Sequence, residues 1–346
     1  RSLAASDVWN MDRQYRVLVI GGGSIGERHV RCFQQTGCAR VSLCEIDQAV
    51  RDRVASRYGL DEVFSDLVDA VGARPDAAVI CTPAHLHVSM ALRLAEAGVH
   101  LLIEKPLSTS LDGIARLQSL VAKQSLVAAV AYVHRANPIL QAMRNAIHEG
   151  RFGTPLELVY VGGQNFPFFR PAYREIYYAK RETGGGAIQD GLTHMINAGE
   201  WLVGPVTSAA ADAARLALDG VEVEDTVHVI ARHGGVMASY AMNQHQAPNE
   251  TTLTVVCERG TARAELHESR WRWKQTNDDP WHDAALPAAE RDAAFIEQAR
   301  CFLRSIDRRE TPLCTLEEGL QTLRVNLALL AAVETRSWQS IPQADG

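Results

Sequence analysis

The chain has 346 residues, 47% of them hydrophobic and 22% charged, with a formal net charge of −6. Such a length exceeds one ordinary core and predicts two domains of a globular protein; the acidic balance argues against nucleic acid, and no apolar run nears the roughly 18 residues of a membrane span. Seven cysteines without a C-x-x-C pair and twelve histidines without an H-E-x-x-H motif predict reduced, buried thiols in a cytoplasmic protein with no metal.

Arg1 to Gln14 lacks a hydrophobic signal core and reads as a disordered or docking arm. Val17 to Ile20 is a β-branched and leucine run that ends in glycine, the mark of a strand buried on both faces and stopped by a tight turn. Gly21, Gly23 and Gly26, with Ser24 and Ile25 between them, take the G-x-G-x-x-G spacing that opens a helix, here Ile25 to Gln35. The first glycine serves the turn, the second the approach of a pyrophosphate, and the third helix–strand packing. Glu45 closes the strand Val41 to Cys44 and stands 24 residues past Gly21, near the offset at which a carboxylate meets a ribose. A carboxylate there repels a 2′-phosphate, so NAD is favoured over NADP.

A helix over Gln48 to Tyr58 and another over Leu67 to Val71, capped by Ser65-Asp66, precede the strand Ala77 to Cys81. Cys81, Thr82 and Pro83 form a second strand end facing the cofactor. His85 and His87 open the next helix, as first-turn polar residues or as cofactor contacts. His100 to Ile103 is a further strand, and it ends in Glu104-Lys105-Pro106, where paired charges at a sheet mouth point to function. Asp112 to Lys123 is a helix and Val127 to Val133 a last parallel strand.

Beyond the helix Pro138 to Gly150 the pattern changes to long strands: Leu156–Gly163, Asp225–Arg232, Val236–Asn243, Thr251–Cys257 and Thr261–His267. Turns at Arg232 to Gly235 and Glu258 to Gly260 predict hairpins, hence a large open antiparallel sheet whose uncovered face is a candidate subunit interface. Trp271-Arg272-Trp273 fits that interface, an exposed strand end or a lid. Helices over Ala288 to Ile306 and Leu316 to Glu334 close the chain. The predicted fold is therefore an N-terminal doubly wound Rossmann domain, residues 15–134, and an α+β domain, residues 135–346, for substrate binding and oligomerisation.

Between the first long strand and the hairpins lies Thr183-Gly184-Gly185-Gly186, followed by a helical pattern from Ile188 to Leu202. Asp190 and His194 fall at i and i+4, bringing a carboxylate and an imidazole to one face. Three glycines there allow close approach of a ligand and leave the helix N-terminus open. The loop Phe166 to Tyr178 concentrates aromatics with Arg170 and Arg174, a composition suited to a sugar or an anion.

With these motifs the chain resembles the glucose–fructose oxidoreductase / inositol dehydrogenase (Gfo/Idh/MocA) family from about Tyr15 to Ile341. The motifs run in the family's order: the glycine fingerprint with His29 beyond it, Thr82-Pro83 with His87, Glu104-Lys105-Pro106, Arg135 with Asn137-Pro138, and the glycine triplet with Asp190 and His194. Ala84 and Asn197 depart from its pattern. The resemblance implies NAD(P)-dependent oxidation or reduction of a sugar or cyclitol hydroxyl, with Lys105, Asp190 and His194 matching a catalytic triad. In that scheme His194 takes the hydroxyl proton, Lys105 steadies the oxyanion and Asp190 holds a neighbouring hydroxyl. The cofactor contacts it implies are Gly21, Gly23, Ser24, Ile25, Gly26, Glu45, Cys81, Thr82, Pro83, His87, Glu104 and Lys105. Substrate contacts are Arg135, Arg170, Tyr173, Tyr177, Asp190 and His194, and the Arg170 to Tyr178 loop is similar to those of members near nucleotide-sugar or amino-sugar pathways. A homodimer or homotetramer through the antiparallel sheet is expected. Two alternatives stand beside the dehydrogenase: a glycosidase using NAD for transient oxidation and elimination, and an inert NAD-binding regulatory protein.

Overall fold

A computed structural model describes residues 14–285 and 290–343. The expected N-terminal arm, apart from Gln14, and the expected helix start at Ala288 lie outside the described residues.

Strand β1 (Tyr15–Ile20) is flanked by β2 (Ala39–Cys44) and β4 (Ala77–Ile80), and Val17, Leu18 and Val19 are wholly buried because helices cover both sheet faces. With β3 (Val63–Phe64), β5 (His100–Ile103) and β6 (Ala128–Val130) the all-parallel order is β3-β2-β1-β4-β5-β6. The order reverses between β1 and β4, the place where doubly wound sheets open a crevice at their carboxyl ends. The connecting helices are α1 (Ser24–Gln35), α2 (Gln48–Tyr58), α3 (Leu67–Gly72), α4 (His87–Glu96) and α5 (Ile114–Lys123). Their ends follow local chemistry: Asp47 and Asp66 cap α2 and α3 through their carboxylates, and Gly59 ends α2 in the left-handed region. Strand β6 stops at Val130, short of the expected Val133, because the chain turns there and continues as a 3-10 turn over Val133–Ala136.

Asn137 caps α6 (Pro138–His148) and leads into a nine-stranded sheet of order β14-β13-β12-β11-β7-β10-β9-β8-β15. Its strands are β7 (Pro155–Asn165), β8 (Ser208–Ala214), β9 (Thr226–His233), β10 (Val236–Asn243), β11 (His245–Cys257), β12 (Gly260–Glu265), β13 (Arg270–Lys274), β14 (His282–Ala285) and β15 (Gln339–Ser340). The expected hairpins form, with Gly234-Gly235 joining β9 to β10 and Glu258-Arg259 joining β11 to β12. The sheet is mixed rather than wholly antiparallel, since β7 and β10 run parallel. A parallel pair needs a long crossover, and between these two the chain runs through the single turn α7 (Phe166–Phe169), the loop beyond it, α8 (Thr193–Val203) and strands β8 and β9.

Residues alternate along these strands. Leu158, Tyr160, Val229, Tyr240, Leu253 and Ala264 are buried in one core with residues of α6, α8 and α10 (Leu316–Thr335). Leu156, Ile230 and Met237 on the opposite side are half or more exposed, and a shallow concavity of about 870 Å³ there is lined by Val161, Ala211, Ile230, Ala241 and Trp338. Trp271 is buried on the helix side of β13 and stacks on Trp273 at 4.6 Å, so the tripeptide packs on the core and is neither a lid nor an exposed strand end. The expected domain division at residue 135 is also crossed. Helix α9 (Ala293–Ile306) returns to the first sheet, where Ala299, Phe302 and Leu303 pack with Val17, Val19 and Phe33, and Leu316, Leu320 and Leu323 of α10 join the core on its other face.

Candidate active site

The glycine loop is shaped by what a side chain would strike. At Gly21, φ is +96° and a Cβ would stand 2.9 Å from the Cys81 carbonyl oxygen; at Gly26 a Cβ would stand 1.8 Å from the Gly21 carbonyl oxygen. Gly23 instead faces open space, and Ser24, exposed beside it, begins α1 with Ile25 behind. A loop closed on its own chain at the first and third glycines and free at the second accommodates a pyrophosphate at a helix N-terminus. The Glu45 carboxylate is fixed beside it, accepting hydrogen bonds from Gly22 N at 2.6 Å and Asp47 N at 2.9 Å. Cys81 and Thr82 are half-buried at the end of β4, and Pro83 is exposed.

At the end of β5 the Glu104 carboxylate is buried, and the His29 Nε2 of α1 lies 2.7 Å from it. The next residue, Lys105, projects across to the second sheet's side of the crevice. Its Nζ donates to both the backbone oxygen and Oδ1 of Asp190, each at 2.9 Å. Tyr177, 40% exposed as a residue, donates its hydroxyl to the same Oδ1 at 2.8 Å, and desolvation of that hydroxyl together with the Asp190 charge raises the phenol well above its ordinary value. Asp190 lies in a π-helical turn, Ile188–Leu192, and His194 in the first turn of α8, so the expected continuous α-helix is interrupted where the carboxylate sits. Such turns recur at functional sites because they redirect single residues out of a helix. Burial and then the Lys105 ammonium and His134 hold His194 well below the ordinary imidazole range, leaving the ring neutral and able to accept a proton. Ammonium, carboxylate, phenol and imidazole thus converge from both halves of the chain.

Other expected site residues are placed differently. Arg135 is 2% exposed and spends its guanidinium on Asn197 Oδ1, the Leu313 carbonyl and Glu318 Oε1, so it ties α8 to α10 and is not a substrate contact. Tyr173 is buried in a small cluster with Phe166 and Tyr178, and its hydroxyl donates to the Asp219 carbonyl; it supports the loop from beneath. His87 is buried with its ring nitrogens at the Thr82 and Pro106 carbonyls, 2.7 and 3.1 Å away. It therefore positions two loops instead of touching a cofactor. Arg170 stays exposed at the rim, where its charge reaches Tyr177 and Arg28.

The glycine triplet also serves the chain itself. A Cβ at Gly185 would stand 2.1 Å from the Tyr178 carbonyl oxygen, and one at Gly186 would stand 2.5 Å from the Glu224 carboxylate. Glu224 Oε1 accepts from Ile188 N at 3.0 Å, so the helix start is capped rather than left open for a ligand. His134 was not among the expected residues, yet its ring stacks on His194 at 4.9 Å. Only its place, two residues beyond Tyr132 and one before Arg135, could have drawn notice to it. Among the described residues no three His, Cys, Asp or Glu side chains gather as a metal site, and no helix is long and apolar enough to cross a membrane.

The glycine loop, the carboxylate at β2 and the crevice beyond the strand ends are those of an NAD-binding oxidoreductase. Two family descriptions match the sequence, "Oxidoreductase family, NAD-binding Rossmann fold" over residues 15–132 and "GFO/IDH/MocA C-terminal domain" over residues 140–263. Together they span more than half of the chain, which belongs to the Gfo/Idh/MocA oxidoreductase family. It is 25% identical over 334 residues to an inositol 2-dehydrogenase of Rhizobium meliloti (strain 1021), covering 93% of this chain and 98% of the relative. A levoglucosan dehydrogenase in complex with NADH shares the fold, with a TM-score of 0.88 at 21% identity over 96% of this chain and 100% of that one. The WlbA dehydrogenase of Bordetella pertussis, in complex with NADH and UDP-GlcNAcA, has a TM-score of 0.84 at 26% identity, covering 96% of this chain and 99% of that one.

Proposed function

We propose that this protein moves a hydride between NAD and one secondary hydroxyl or keto carbon of a sugar, sugar derivative or cyclitol. The observation that carries the reading is the bond of Lys105 Nζ to Asp190 Oδ1 at 2.9 Å, an ammonium from β5 meeting a carboxylate opposite it and beside His194. Relatives acting on inositol and levoglucosan support the substrate class.

When bound, the nicotinamide supplies the hydride acceptor or donor. The glycine loop would hold its pyrophosphate, and Glu45 its ribose hydroxyls, which favours NAD over NADP because a 2′-phosphate meets a like charge. His194, neutral near pH 7, takes the substrate hydroxyl proton. Lys105 has one N–H beyond its two bonds to Asp190 and offers it to the developing oxyanion. Asp190, anchored by Lys105 and Tyr177, presents its remaining oxygen to a neighbouring hydroxyl and so selects the carbon that faces the ring. Arg170 and the exposed Phe168 and Phe169 form the rim over which the rest of the substrate would lie. In this reading residues 15–134 and α9 serve the nucleotide, and the nine-stranded sheet serves the substrate and, through its exposed face, a second copy of the chain.

The test is a panel of sugars, cyclitols and nucleotide sugars read by NADH absorbance, with wild-type and Lys105→Ala protein. Turnover of a polyol that the variant loses supports the assignment. Phenol release from an aryl glycoside without net NADH would show the glycosidase instead, and NAD binding with no turnover of either kind would show the regulatory protein. Light scattering on the eluting protein reports the subunit count, and a monomer would exclude the exposed face as an interface.

A further inference from the structure

The imidazole assigned as proton acceptor has a second imidazole against it. His134, in the 3-10 turn after β6, lies with its ring centroid 4.9 Å from that of His194 and its plane 30° away. Tyr132 approaches His194 edge-on, at 5.9 Å and 89°. That tyrosine is itself fixed: its hydroxyl and Thr193 Oγ1 are 2.8 Å apart, and Asn326 of α10 donates to the same Oγ1 at 2.8 Å. Both imidazoles bury an Nδ1 that has no hydrogen-bond partner among the described residues. Buried polar atoms of this kind cost stability and need a reason.

We propose that His134 is a positioning residue for proton transfer: stacked on His194, it fixes the plane of the acceptor ring and keeps water from that face. The inference rests on the reading of His194 as acceptor. With Nδ1 sealed, Nε2 is the nitrogen left to exchange a proton. The charged and titratable groups around His194 are Lys105 at the end of β5, Asp190 and Tyr177 bonded at that lysine, and Tyr132 and His134 from the segment after β6. Burial, and then the Lys105 ammonium, push His134 down to about 4, so near pH 7 it is neutral and shields without a charge, and its cation opposes that of His194 only in acid. Losing that ring would let water reach His194 and return it toward the ordinary imidazole value. The acceptor would then be protonated, and lost, at a higher pH than in the wild type.

The experiment follows the His194 ring directly, by NMR of NADH-bound protein carrying labelled histidine, with the resonance assigned through His194→Gln. In His134→Ala the titration of His194 should rise by about one pH unit, and in His134→Phe, which keeps a stacked ring, it should stay within about 0.3 units of wild type. The acid limb of kcat/KM, measured with the best substrate of the panel, should move with it, giving a loss that grows as pH falls, approaches roughly tenfold below the titration of both proteins and vanishes at pH 9. NAD affinity should be unchanged. Thermal unfolding checks the fold, and His134→Asn replaces the Ala variant if that one does not fold. An unmoved titration in a folded variant without the ring overturns the positioning role, as does an equal shift in the Phe variant. A shifted ring with an unmoved acid limb, or normal turnover by His194→Ala, overturns the acceptor reading instead.

Discussion

In the six-stranded sheet both faces are covered, and the chemistry sits where β1, β2, β4 and β5 end. In the nine-stranded sheet one face is covered, and the chemistry sits on a segment laid across that cover, from Tyr177 through the π turn to His194. A parallel sheet collects its functional groups at one edge because every strand ends there. An antiparallel pair ends at alternate edges, so the second sheet acts as a platform, and its active groups come from the crossover between β7 and β10. The first arrangement keeps function close to strand motifs, whereas the second makes function depend on how a long connection is pinned.

The largest blow to this division of labour is Lys105→Ala, which removes the group that spans both regions. Turnover should fall by about three orders of magnitude or more, while NAD affinity, followed by fluorescence titration, stays within about threefold. Equal losses in both quantities would mean that the lysine belongs to the nucleotide edge alone. Next comes Gly26→Ala, whose Cβ would meet the Gly21 carbonyl oxygen at 1.8 Å. Because backbone cannot yield as a side-chain tip does, NAD affinity should drop by about a hundredfold, with a lower melting temperature.

Tyr177→Phe tests the platform side. It takes one of two donors from Asp190 Oδ1 and should lower kcat/KM by roughly tenfold, since a hydrogen bond to a charged group contributes about 1.5–3 kcal/mol. An unaltered rate would show that Lys105 alone anchors the carboxylate. Glu45→Gln refines the nucleotide side: NAD should bind about tenfold more weakly and the preference over NADP should narrow. A preference that stays as wide would mean that other groups exclude the 2′-phosphate.

The smallest effect concerns stability. Glu200 of α8 is buried, and burial raises its carboxyl to about 7, although Thr322 and Gln321 donate to it. A carboxyl raised above its unfolded value stabilises the fold in the protonated form. That contribution is complete below about 4.5 and is lost as pH climbs through 7. Denaturant melts from pH 5 to 8 should therefore show wild-type stability falling relative to Glu200→Gln, and parallel curves would refute the shift.

The sequence revealed most where chemistry and strand ends coincide. Val17 to Ile20, the glycines of the loop, Glu45 and Lys105 each carry a local signature, because the physical demand on them comes from residues a few positions away. Asp190 and His194 were visible as a pair, but the π turn beneath them and the Tyr177 hydroxyl on the carboxylate depend on tertiary packing. Arg135, Tyr173 and His87 show the converse. Their side chains suit ligand recognition, yet burial commits them to Glu318, Asp219 and two loop carbonyls, and burial is not written in residue type. The parallel pairing of β7 with β10 and the return of α9 to the first sheet are long-range choices with no local mark.

That return reaches into how the protein is made. Val17, Val19 and Phe33 leave the ribosome long before Ala299, Phe302 and Leu303, which close the same core. A nascent chain therefore carries an unfinished nucleotide half until α9 and α10 have emerged, and the cofactor finds its completed seat only then.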